Sequence, residues 1–155
     1  MSGEIDGLWI GGEGAAHPRA WKFEDLRALP AREQIADVGV LVRGRKGSGV
    51  RLSALLDRSA PREDARFLDV ASQDPAFAVS VPLGEVAREG VVVYALDGRP
   101  LPAESGGPFR LLVPGHADEC VNVKRVARIE LALARGRDTR PADDAEHAKL
   151  HARKK

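Results

Sequence analysis

The chain has 155 residues, 43% of them hydrophobic, with a formal net charge of +1 and one cysteine. That length suits one domain with a real core, and the near-neutral charge removes any general pull toward nucleic acid or an anionic membrane. A single thiol excludes an internal disulfide and favours a reducing compartment. No basic stretch precedes an apolar core near Met1, and no apolar run approaches the ~20 residues that span a bilayer. The expectation is a soluble, cytoplasmic domain with neither a membrane nor a nucleic-acid partner.

Residues 7–10 read as an edge strand or lead-in, followed by a glycine-rich loop (GGEGAAHP). That loop lacks the Lys-Ser/Thr pair of a phosphate-binding glycine loop. WKFEDLRALP predicts a short helix: Phe23, Leu26 and Leu29 recur at spacing three, Glu24 and Asp25 suit its first turn, and Pro30 stops it. Residues 35–42 (IADVGVLV) predict a buried strand. A basic, glycine-rich loop with Arg43, Arg45 and Lys46 follows, then a helix burying Leu52, Leu55 and Leu56, with Ser53 near its N-cap.

Residues 66–71 and 77–81 alternate as strands around a Ser72-Gln73-Asp74-Pro75 turn, and LGEVAREG predicts a short helix ended by Gly90. VVVYAL is the strongest strand signal, and Asp97-Gly98 after it is a hairpin turn pair. Residues 109–113 and 121–131 predict two further strands. Between them the Pro114-Gly115 break opens a loop holding His116, Asp118, Glu119 and Cys120. From residue 134 the chain becomes charged and poor in apolar residues, which predicts a domain over 1–133 and a flexible tail over 134–155.

Four features could carry chemistry. Cys120 is either a metal ligand or a small buried hydrophobe. His116 with Asp118 and Glu119 is either a metal or acid–base cluster or a solvated loop, and the spacing matches no strong metal signature. Arg43, Arg45 and Lys46 beside glycines suit a phosphate group equally as well as a solvated basic turn. Lys124 is either a contact to an anion or an outward strand residue.

The order EDLRALP, SGVRLSALLD, VSVPLGEVA, VVVYALDGRPLPAESGGPFRLLVPG, VNVKRVARIEL resembles the molybdopterin-binding domain of the sulfite oxidase family over residues 20–131. The resemblance implies that family's α+β fold, a mixed β-sheet scaffold with short helices, and an anionic pterin cofactor. It implies a phosphate or pterin contact by Lys124, with Arg43, Arg45, Lys46 and His116 as the further candidates for binding such a cofactor. Family enzymes anchor molybdenum through one cysteine thiolate, a soft ligand, in the loop after the strand matched by IADVGVLV. Residues 34–48 contain no cysteine, so Cys120 would have to stand in as the metal ligand. Two functions are therefore expected as alternatives. One is a small stand-alone molybdopterin-binding oxidoreductase; the other is a degenerate, non-catalytic member acting as a ligand-binding or protein-interaction module, a pseudoenzyme.

Overall fold

The computed structural model describes residues 7–140. Ten strands form two sheets of five, and three short helices pack around them. The strands are β1 (Leu8–Gly11), β2 (Arg19–Trp21), β3 (Gln34–Ile35), β4 (Ser48–Arg51), β5 (Phe67–Ser72), β6 (Ala78–Pro82), β7 (Val91–Leu96), β8 (Arg99–Pro100), β9 (Arg110–Leu112) and β10 (Val126–Ala132). The helices are α1 (Phe23–Arg27), α2 (Leu52–Arg58) and α3 (Leu83–Val86).

The first sheet has the order β2-β1-β10-β5-β6. β10 is its hub, parallel to β1 (Ile10 opposite Ile129) and antiparallel to β5 (Val70 opposite Ile129). Along these strands alternate residues turn inward, so Leu8, Ile10, Leu68, Val70, Ile129 and Leu131 are all buried. β1 is thus an interior strand with β2 outside it, where an edge strand or lead-in was expected.

The second sheet is built on β7, which pairs with β4, β8 and β9. Val92 and Tyr94 face the main core; Val91 and Val93 face a second cluster with Ile35, Val38, Leu101 and Leu112. A strand covered on both faces needs apolar residues at every position, which accounts for VVVYAL. Asp97 (φ 53°) and Gly98 (φ 78°) both adopt positive φ at its end, as the tight β7–β8 hairpin requires.

α2 buries Leu52, Leu55 and Leu56 as its spacing predicts. Its N-cap is Arg51 with no side-chain cap, and Ser53 lies inside the first turn. Two expected strands are corrected. Only Gln34–Ile35 of the apolar run pairs with β4; Asp37 Oδ1 then accepts from Gly39 N at 2.8 Å and turns the chain into a 3-10 turn over Val38–Val40. Val40 is 76% exposed and Leu41 43% exposed, so this run is not a buried strand. The last strand begins at Val126, not at 121, because Asp118 caps a 3-10 turn over Glu119–Val121 and Arg125 adopts φ 53°.

A buried arginine at a glycine gap

The candidate site lies where β9 leaves the Gly106-Gly107 turn. Gly106 adopts φ 93°, a conformation that L side chains rarely hold. Its carbonyl accepts from Arg125 N at 2.7 Å, and Arg125 itself has positive φ. A non-glycine residue in that region stores strain, and such strain persists where surrounding contacts over-determine it. Here the contacts are backbone bonds on both sides, since Arg125 O also accepts from Gln73 N at 2.7 Å. The result fixes Lys124, the residue before Arg125, beside Gly106.

Arg110 is the first residue of β9. Its neighbours Phe109, Leu111 and Leu112 are buried, and Arg110 is only 8% exposed. Its Nη1 donates to Ser105 O at 3.4 Å, a long bond, and its buried Nε has no partner. Burial, followed by the charge of Arg45, lowers the pKa of this guanidinium; arginine still remains charged at neutral pH. A Cβ at Gly106 would stand 3.2 Å from Lys124 Cγ and 3.4 Å from Arg110 Cδ and Nη1. Glycine therefore lets the two cationic side chains close tightly on the turn. Two cationic side chains at one turn, with one unsatisfied buried donor and the charge of Arg45 acting on Arg110, suit an anion with several acceptor oxygens, such as phosphate.

Of the residues singled out from sequence, the structure places Lys124 beside Gly106, and the charge of Arg45 acts on Arg110. Arg43 is exposed on the loop. Lys46 lines a separate shallow depression with Asp37, Asp97 and Gly98. His116 is engaged elsewhere: its Nδ1 accepts from Asp118 N at 3.0 Å and its Nε2 lies 3.1 Å from Glu85 Oε1. With Nδ1 accepting, Nε2 carries the proton that goes to Glu85.

Cys120 is exposed, not packed in the core as a small hydrophobe. Its backbone N donates to Asp118 Oδ1 at 2.9 Å. Burial opposes ionisation of Asp118, yet hydrogen bonds from the Cys120 backbone and thiol and from Arg140 outweigh it and lower the carboxyl's pKa. Leu111 N donates to Val123 O and Val113 N to Asn122 Oδ1, so residues 121–124 run back along β9. Lys124 thus meets the Arg110 end and Cys120 falls beyond the Val113 end. At ~3.3 Å per extended residue, those ends are roughly 10 Å apart. Among the described residues, no group of three or more His, Cys, Asp or Glu side chains is disposed to hold a metal.

Arg110 is the residue that the sequence alone did not single out. The available signal was a charge inside FRLLV, an otherwise apolar run. Alternation assigns such a charge to solvent, but β9 is buried at all three of its residues.

One mixed and one antiparallel sheet with short helices packed around them, carrying a buried arginine beside a glycine turn, define an α+β domain. The chain belongs to the oxidoreductase molybdopterin binding domain family, whose match covers residues 7–138, and within it to the sulfite oxidase type. It is similar to the uncharacterized oxidoreductase YuiH of Bacillus subtilis (strain 168), with 26% identity over 103 residues. That alignment covers 63% of this chain and 52% of YuiH, so the chain spans about half the length of this relative. In fold it is similar to the sulfane dehydrogenase SoxCD from Paracoccus pantotrophus, with a TM-score of 0.65 and 24% identity over 87% of this chain and 40% of that one. Among the described residues, no helix is long and apolar enough to cross a membrane.

Proposed function

We propose that this domain binds a molybdopterin cofactor by its phosphate end, held by Arg110, Arg45 and Lys124, and serves as a small molybdenum-dependent oxidoreductase domain. The observation that carries this reading is the buried Arg110 Nε with no protein partner, beside the Gly106 turn that Lys124 also approaches. A buried donor left unpaired costs about 1–3 kcal/mol, and a phosphate oxygen would satisfy it. The donor set fits the anionic end of the cofactor: a guanidinium fork for two oxygens, a second guanidinium, and an ammonium as a point charge.

When bound, the cofactor supplies the redox chemistry of its metal. The chain's own residues bind and orient it. Arg110 would hold a phosphate oxygen from β9, Lys124 and Arg45 would neutralise the remaining charge, and Gly106 lets Lys124 and Arg110 approach the same turn. We assign the metal no bond from Cys120, which lies past the opposite end of β9 and is tied to Asp118. Arg43, Lys46 and His116 take no part in phosphate binding on this reading. The single thiol of the chain also favours a reducing, cytoplasmic setting.

The test is to produce the protein in cells that make molybdopterin and to measure pterin and molybdenum per chain. The reading expects pterin near one per chain, lost in Arg110→Met and retained in Cys120→Ser. Folded protein without pterin would overturn it. Pterin without metal would leave the binding site intact and identify a ligand-binding module in place of an oxidoreductase.

A further inference from the structure

We infer that residues 135–140 form a strap that closes the free edge of β6 and that Arg140, at its end, is a positioning residue for the 116–121 loop. β6 is the last strand of its sheet, and an open strand edge is a template for pairing with other chains. The strap occupies that edge mostly with side chains. Ala78 N donates to Thr139 Oγ1 at 3.2 Å and Thr139 N to Ala78 O at 2.8 Å. Ser80 N donates to Asp138 Oδ2 at 3.0 Å, while Ser80 O accepts from Arg135 Nη1 at 3.2 Å and Arg140 Nη2 at 3.1 Å.

Gly136 makes the close approach possible. Its N donates to Ser80 Oγ at 2.9 Å, and Ser80 Oγ donates in turn to Asp69 Oδ1 at 2.6 Å. A Cβ at Gly136 would run into the Asp69 carboxylate.

Arg140 joins this strap to a third part of the chain. Its Nη2 lies 2.6 Å from Asp138 Oδ2 and its Nη1 3.0 Å from Asp118 Oδ2. The three side chains are 16–19% exposed, so the bridges are screened less than surface pairs. Asp118 is the node of the loop: its other oxygen caps Cys120 N, and its own N donates to His116 Nδ1. One guanidinium therefore ties the C-terminal strap, the β6 edge and the loop together. This holds with or without a cofactor.

Hydrogen exchange on the full chain tests it. Arg140→Ala should speed exchange of the 119–122 amides about tenfold, the loss of one charge-assisted contact, with β5 and β10 unchanged. Adding Arg140→Ala to Asp118→Ala should give no further acceleration, as expected of a coupled pair. Arg140→Lys, which keeps the charge and loses the fork, should fall between. Thr139→Ala, which touches only the edge, should speed exchange at Ala78 and leave the loop at its wild-type rate. Wild-type loop exchange in Arg140→Ala, or additive effects in the double variant, would overturn the inference.

Discussion

Replacing Arg110 by methionine should move stability and ligand retention in opposite directions. Methionine is unbranched and adapts to irregular space, so the exchange keeps much of the volume while removing a buried charge. In the unliganded protein that charge has one long bond to Ser105 O and an unpartnered Nε, and the charge of Arg45 opposes it. An unsatisfied buried donor costs about 1–3 kcal/mol, and apolar replacements of buried ions range from neutral to stabilising by about 1–4 kcal/mol. Arg110→Met should therefore stabilise the cofactor-free protein by about 1–3 kcal/mol. For a chain of this size that corresponds to a rise in Tm of roughly 2–4 °C per kcal/mol. The same change removes charge-assisted bonds worth about 1.5–3 kcal/mol each, which lowers affinity for a phosphate-bearing ligand by about 10–150-fold. Urea unfolding followed by the fluorescence of Trp9 and Trp21 measures the first effect, and pterin retained per chain measures the second. Destabilisation by more than about 1 kcal/mol would refute the reasoning, because the cost of burying that donor would then be met inside the protein. Unchanged pterin retention would refute it equally.

Other outcomes follow from the same geometry. Gly107→Ala would drive a Cβ into the Leu101 carbonyl, and overpacking against backbone should cost about 1–3 kcal/mol or prevent folding, read by the same unfolding curve. Leu131→Ala, at a fully buried position of the hub strand, should cost about 2–5 kcal/mol without changing phosphate selectivity. Cys120→Ser should alter stability by less than about 0.5 kcal/mol, as exposed positions usually do, and leave pterin content at the wild-type value. Stability should also vary with pH in two senses. Asp118 and Asp138 have lowered pKa values through their bonds to Cys120, Ser80 and Arg140, which outweigh burial; their contribution is present above the ordinary carboxylate pKa of ~4 and is lost as pH falls through the lowered values. Asp69 is shifted upward, first by burial and then by the charges of Glu130 and Asp138 against the opposing Ser80 bond. It therefore disfavours the folded state above its raised pKa, and this penalty disappears on acidification through it. Unfolding curves between pH 3 and 7 should show a flattened or slightly rising stability before the acid loss, and Arg140→Ala should shrink that loss.

Local signals made much of the scaffold legible because the same residues satisfy both local and global demands. Leu52, Leu55 and Leu56 have helix spacing and a core to face; VVVYAL has β-branched residues and two apolar clusters to fill. The family order of segments was readable for the same reason, and it led to the right fold. The loop after Ile35 was not, since Val38, Val40 and Leu41 look like strand residues while the Asp37–Gly39 bond turns the chain out. Val121 and Val123 misled similarly: they are buried, but on a path bent by the Asp118 cap and the positive φ of Arg125. Part of the candidate site was also visible, in Arg45 and Lys124. Its centre was not, because no pattern of one strand announces that a neighbouring turn will bring Lys124 up beside Arg110. The strap over residues 135–140 was hidden for a different reason. Charge and glycine there resemble a solvated tail, and only the unpaired β6 edge gives Thr139, Asp138 and Arg140 something to bind.

A crystal structure of the domain loaded with molybdopterin puts the central claim to its most direct test. The claim predicts a phosphate oxygen at about 3 Å from Arg110 Nε, the ordinary N–H···O distance, with Lys124 and Arg45 on the same group. A bound cofactor whose phosphate lies elsewhere, with Arg110 Nε still unpartnered, would contradict it.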